Sequence, residues 1–206
     1  MKKYFFFFTF VLTLSLTSNS QTSSFTLAPL FTDSLVLQQK SDVPIWGKGT
    51  PGVKISVAAS WGKKGSGIVQ PDSNWMLKIK TPKAGGPFTI SFSYGDSITV
   101  LKNILIGEVW LCSGQSNMEI PLEGWPPNDT IANSANEIQQ AHFPKIRMFM
   151  VQQTISTVPN FDCIGSWKEC TPEAAAKFSA TAYYFGRKLF QELKVPIGLI
   201  QSTWGG

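Results

Sequence analysis

The spacing of apolar residues changes once along this chain, near Asn103, and that change restricts the fold more than any other feature. Before it, short apolar runs alternate with turn residues. The runs are Leu35-Val36-Leu37, Val43-Pro44-Ile45-Trp46-Gly47, Val53-Lys54-Ile55-Ser56-Val57, Trp75-Met76-Leu77-Lys78-Ile79, Phe88-Thr89-Ile90-Ser91-Phe92 and Ile98-Thr99-Val100-Leu101. Successive side chains of a strand point to opposite faces, so a period of two marks strands with one buried face. Turn clusters at Asp72-Ser73-Asn74, Gly85-Gly86-Pro87 and Tyr94-Gly95-Asp96-Ser97 separate them, which is the spacing of a β-sandwich. We expect such a domain over residues 25–103.

Residues 104–112 instead form a nearly continuous apolar run, broken only by Gly107 and Glu108. Such runs suit parallel strands covered on both faces. Residues 131–141 read as a helix and 146–151 as a strand. Thr171-Pro172-Glu173 opens a further helix, with a Thr cap, Pro in the first position and an acid in the first turn. Its apolar stripe runs Phe178, Ala182, Phe185, Leu189, Leu193. After Pro196, Ile197-Gly198-Leu199-Ile200 is the next buried strand. Alternating strands and helices predict an α/β unit with a parallel sheet over residues 104–206. Three parallel strands are few for a covered sheet, and the chain stops after a strand, at Trp204-Gly205-Gly206. We therefore read 104–206 as the first part of an α/β domain.

The amino terminus has the form of an export signal over residues 1–20. Lys2 and Lys3 precede an apolar run of about thirteen residues, and Thr17-Ser18-Asn19-Ser20 offers a cleavage region before Gln21. That run is shorter than the roughly 20 residues that span a bilayer, so we expect an exported product, periplasmic or extracellular, with no stable membrane insertion. Without Lys2 and Lys3 the balance is 16 basic against 13 acidic residues. That is too even and too dispersed for a nucleic-acid partner. The 206 residues include fifteen Phe and seven Trp, which excludes a disordered chain. The three cysteines do not make a disulfide framework. Cys112 reads as a buried small hydrophobe, and Cys163 and Cys170 could pair in an oxidising compartment.

The segment Leu111-Cys112-Ser113-Gly114-Gln115-Ser116-Asn117-Met118-Glu119 carries the chemistry. Ligands of open α/β sheets bind outside the carboxyl ends of the strands. A turn at Gly114 would present Ser116 at that edge. A helix beginning there would aim backbone N–H groups at a developing anion. A hydroxyl nucleophile and part of an oxyanion hole need that arrangement.

Those residues closely resemble the first block of the SGNH (GDSL-like) hydrolases, in the variant found in sialate O-acetylesterases. Leu30-Phe31-Thr32-Asp33, Val36-Leu37-Gln38-Gln39 and Pro44-Ile45-Trp46-Gly47 resemble the opening of that family's β-domain. Ala84-Gly85-Gly86-Pro87-Phe88 resembles a later strand. Phe178-Ser179-Ala180-Thr181-Ala182-Tyr183-Tyr184-Phe185-Gly186-Arg187 resembles its long helix. Val195-Pro196-Ile197-Gly198-Leu199-Ile200-Gln201-Ser202-Thr203-Trp204-Gly205-Gly206 resembles its second block. The resemblance covers about residues 27–206. It implies a β-sandwich followed by part of a three-layer, flavodoxin-like α/β domain. It also implies hydrolysis of acetyl esters on sugars, with no metal or organic cofactor.

By the same resemblance Ser116 is the nucleophile. Its own N–H and that of Gly205 or Gly206 form the oxyanion hole, Gly205 being favoured. Gln115 and Asn117 support the turn at Gly114, with Gln115 ordering it by hydrogen bonding. The family's Asn donor and its Asp and His lie in later blocks that this sequence does not reach. The single histidine, His142, reads as a helix-end residue. Without a base Ser116 is a poor nucleophile, and we expect very low activity from this chain alone. Glu119 and Glu123 read as solvated or hydrogen-bonded loop residues and Trp110 as core. Trp204 has the better claim to line a sugar site, and Trp125 is undecided. The expected partner is an O-acetylated sugar, sialic acid or a plant polysaccharide such as acetylated xylan. The alternative is a non-catalytic carbohydrate-binding or scaffolding unit.

Overall fold

The computed structural model describes residues 24–205. The expected signal segment 1–20 and Gly206 lie outside the described residues. The elements are β1 (Phe25–Leu27), β2 (Val36–Gln38), β3 (Asp42–Gly49), β4 (Lys54–Ala59), β5 (Lys64–Ile68), β6 (Asn74–Lys80), β7 (Gly85–Tyr94), β8 (Ser97–Gly114), α1 (Ser116–Glu119), α2 (Ser134–Gln139), β9 (Phe143–Met150), β10 (Trp167–Cys170), α3 (Pro172–Lys177), α4 (Ala180–Leu193) and β11 (Ile197–Thr203). The result is a mixed, sheet-rich α/β architecture.

Two sheets carry it. A three-stranded antiparallel sheet has the order β1-β3-β6. An eight-stranded sheet contains the path β10-β9-β11-β8-β7-β4-β5, with β2 pairing beside β8. The alternating strands behave as their period requires. In β6, Trp75, Leu77 and Ile79 are buried while Met76 and Lys78 face outward. In β4, Ile55, Val57 and Ala59 turn inward. These residues meet Ile45, Ile90, Phe92, Leu101, Ile104 and Ile106 in one apolar cluster that draws on both sheets.

The change of pattern near Asn103 falls inside a single strand. β8 runs through it, and Asn103 sits at φ 57°, a left-handed conformation that Asn tolerates better than most residues. Alternating burial before Asn103 becomes four successive buried residues after it, Ile104 to Gly107. The earlier part of β8 pairs antiparallel with β7. The later part pairs parallel with β11, from Glu108↔Ile197 to Gly114↔Thr203. β11 also pairs parallel with β9, and β10 closes the edge antiparallel to β9. The three expected parallel strands therefore lie in the order β9-β11-β8.

Both faces of β9 are covered. Met148 joins the cluster beneath α3 and α4, and Phe149 joins the cluster of the first region. Arg147, buried in the same strand, is paired with Glu169 at 2.9 Å and donates through Nε to Pro144 O at 2.9 Å. This is the pairing a buried guanidinium requires.

Two expectations need correction. The long helix is two helices. Thr171 caps α3 by accepting from Ala174 N at 3.3 Å, but Phe178 is extended, and Ser179 caps α4 through Ala182 N at 3.1 Å. The break lets the chain after α1 pair there, with Leu122 N donating to Phe178 O and Ala180 N to Ile120 O. The stripe consequently shifts: α4 buries Ala180, Ala182, Tyr183 and Gly186, while Phe185 and Leu193 are exposed. Trp110 is 43% exposed rather than core. Residues 108–114 of β8 are paired only with β11 among the described residues, and Trp110 is met by the edge of Phe185 at 5.1 Å. Cys112, Cys163 and Cys170 are all free thiols, Cys112 and Cys170 buried.

Candidate active site

β8 delivers Ser116 to the carboxyl end of the parallel strands. Gly114 ends the strand, Gln115 occupies the cap position and Ser116 opens α1, with its side chain exposed. The Gln115 carbonyl, rather than its side chain, orders the turn, accepting from Met118 N at 2.8 Å and Glu119 N at 3.0 Å. Asn117 O accepts from the Thr181 hydroxyl at 2.7 Å, tying α1 to α4. A Cβ at Gly114 would stand 3.0 Å from Met118 Cβ, so a larger residue would crowd the turn.

β11 brings the terminal residues to the same place. Trp204 N donates to Gly114 O at 3.1 Å. A Cβ built on Gly205 would lie 3.2 Å from Ser116 Oγ and 3.5 Å from Ser116 Cα. A side chain at Gly205 would therefore crowd the Ser116 hydroxyl. Its N–H donates to Glu119 Oε2.

Two clefts open beside this junction. One, of about 420 Å³, is lined by Ser113, Gly114, Gln153, Thr203 and Trp204 among others. The other, of about 350 Å³, is lined by Glu119, Pro121, Trp125, Gln153 and Thr203 among others. Trp204 and Trp125, half exposed, thus each border a cleft, whereas Trp110 borders neither.

His142 is exposed and directly precedes β9. Ile146 is level with Glu108 across β11. At ~3.3 Å per residue, His142 lies roughly 20 Å or more from the strand ends that carry Ser116. Glu123 accepts from Lys177 Nζ at 2.5 Å, the hydrogen-bonded surface role expected of it. Burial pushes the Cys112 thiol above its ordinary range, so this neighbour of the motif is held as an unreactive thiol. Among the described residues no group of three or more His, Cys, Asp or Glu side chains gathers where it could hold a metal ion.

No protein-family model matches the chain. Over 95% of its length the chain is 31% identical to a mouse sialate O-acetylesterase. The chain belongs to the sialate O-acetylesterase family. The rat and human members are 33% and 30% identical over 88% of the chain. The chain spans about two-fifths of the length of these curated relatives, 36% to 39%. A solved carbohydrate acetylesterase from Xanthomonas citri superposes with a TM-score of 0.79 at 31% identity. That match covers 87% of this chain and 40% of that one.

Two residues at the junction have partners that the sequence does not reveal. Glu119 is hydrogen-bonded, as expected, but is the last residue of α1 rather than a loop acid, and its partner is Gly205. Gln153, in the segment after β9, donates to Glu119 Oε1 at 2.6 Å and to Thr203 O at 3.1 Å. The signal that could have found Gln153 is its place just beyond the carboxyl end of a parallel strand, where ligand crevices form.

Proposed function

We propose that the chain carries the nucleophile side of an exported carbohydrate O-acetylesterase, a β-sandwich joined to the first strands of a three-layer α/β hydrolase domain. Ser116 Oγ attacks the acetyl carbonyl carbon, and the carbonyl π pair moves onto oxygen. Collapse of that oxyanion breaks the bond to the sugar oxygen, which leaves with the proton the serine gave up. Water then hydrolyses the acetyl-enzyme to acetate. The N–H groups of Ser116 and Gly205 face the oxyanion, the arrangement that makes such sites effective. One observation carries this reading: an exposed serine at a parallel strand's carboxyl end, against which a second strand lays a glycine backbone.

The relatives' names support an acetylated sugar as substrate, and both sialic acid and acetylated plant polysaccharide belong to that class. Activation of Ser116 needs a base, and His142 stands at the wrong end of β9 to supply it. The chain alone should therefore turn over acetyl esters very slowly. Added imidazole can supply the base. It should raise hydrolysis of 4-methylumbelliferyl acetate above the imidazole-only rate, and the increment should vanish in Ser116→Ala. An increment retained in that variant, or none in the native chain, overturns the assignment of Ser116.

A further inference from the structure

The Gly205 amide is not idle. It donates to Glu119 Oε2, while Glu119 Oε1 accepts from Gln153 Nε2 at 2.6 Å, and Gln153 also holds Thr203 O at 3.1 Å. One carboxylate thus joins the end of α1, the segment after β9 and the end of β11. Glu119 follows Ser116 by three residues, so its side chain lies on the same side of the short helix. A Cβ on Gly205 would stand 2.6 Å from Glu119 Oε2 and 3.2 Å from Ser116 Oγ. The carboxylate and the hydroxyl therefore flank the same stretch of backbone.

An acyl oxygen that gains charge at this amide would meet a full negative charge already bonded to it. We propose that Glu119 is an internal stand-in for the reacting oxyanion. Its carboxylate caps the Gly205 amide at rest and must withdraw, keeping its bond to Gln153, before an acyl oxygen or the product acetate can take the N–H. Glu119 is then a positioning residue that controls access to the oxyanion hole. This rests on the role given above to Ser116 and Gly205.

Acetate is the probe, and the Gly205 amide resonance in a 15N–1H spectrum of the full chain is the readout. In the native chain acetate must displace a charge-assisted hydrogen bond. In Glu119→Gln it displaces a neutral one, and in Glu119→Ala none. Saturation of the Gly205 shift should occur at about tenfold lower acetate in Glu119→Ala than in the native chain, with Glu119→Gln between them. The same spectra report whether each variant is folded, and the isosteric Glu119→Gln serves if Glu119→Ala is not. Superimposable acetate curves, or a Gly205 resonance that acetate leaves unmoved in the folded variants, overturn the proposal. Either result leaves the imidazole test of Ser116 standing. Conversely, an imidazole increment that ignores Ser116 removes the nucleophile and leaves the acetate result intact.

Discussion

The two regions of the molecule use their apolar residues differently. The antiparallel strands β3, β4, β6 and β7 turn Ile45, Ile55, Val57, Trp75, Leu77, Ile79, Ile90 and Phe92 into one cluster and leave mostly polar residues outside. The parallel region packs Ile146, Met148, Ile197 and Leu199 beneath its helices just as firmly. Yet it leaves Trp110, Leu111, Phe185 and Trp204 exposed around the strand end that carries Ser116, and Ile155, Val158, Phe161 and Ile164 exposed in the segment after β9. The antiparallel region exposes apolar residues too, Ile68, Met76, Ile98 and Val100, but scattered singly along its strands. A sheet of continuous apolar strands depends on layers over both faces, and the candidate site lies at the part of β8 that pairs on one side only among the described residues.

The largest effect should come from cutting into the core of the antiparallel region. Trp75 is buried, stacks on Phe25 at a centroid distance of 5.3 Å and donates through Nε1 to Lys48 O at 3.1 Å. Trp75→Ala should cost about 3–5 kcal/mol, because the packing and the cavity both count. Leu111→Ala, at a residue 67% exposed on the open part of β8, should stay within about 0.5 kcal/mol. Urea unfolding of both variants checks the pair. Equal costs would mean that Leu111 is covered in solution and that the two regions do not differ as described.

That contrast also explains what could be read in advance. Trp75, Leu77 and Ile79 were legible because alternation alone assigns a face, and β6 obeys it residue by residue. Ser116 and Gly114 were legible because their motif is local. Trp110 was misread because an apolar run says nothing about where its sheet stops. The break at Phe178 was hidden because Phe178, Ala182, Phe185, Leu189 and Leu193 keep a helical period straight through it. The partners of Glu119 are hidden for a third reason. Its partners Gln153 and Gly205 lie 34 and 86 residues away in sequence, so only the register of β11 against β8 and β9 brings them together.

The core of the parallel region should weaken at high pH. The cluster at α3 and α4 holds Cys170 of β10, whose thiol burial pushes from an ordinary 9.0 up to about 12, and Tyr183 of α4, whose phenol burial pushes from 10.0 to about 12. Both groups hold a proton in the folded chain that the unfolded chain releases. Their contribution is therefore complete below pH 9 and is lost as pH climbs from about 9 toward about 12. The thermal midpoint should fall over that window. Cys170→Ala should reduce the part that starts near 9, to which the raised Cys112 and Cys163 thiols also contribute, and Tyr183→Phe should reduce the part that starts near 10, which Tyr184 shares. An unchanged slope in both variants would place the alkaline loss elsewhere.

The smallest expected effect separates the two helix caps. Ser179 is fully buried. Its hydroxyl accepts from Ala182 N at 3.1 Å, and its own N–H donates to Gln201 Oε1 at 2.8 Å. Thr171 is exposed, and its cap bond to Ala174 N is 3.3 Å. Alanine at either position removes one acceptor, at about 1 kcal/mol for an average cap. After Thr171→Ala water can take over the orphaned N–H, whereas after Ser179→Ala the donor is left in a dry interior, which costs more. Ser179→Ala should therefore exceed Thr171→Ala in urea unfolding. The segment after α1 hangs on the same break through Ile120 and Leu122, so Ser179→Ala should also raise amide exchange there, and Thr171→Ala should not. If the two variants match in both measurements, the break between α3 and α4 is held by the packing of Phe178 rather than by the serine, and the link from that break to the Ser116 turn runs through the core instead of the cap.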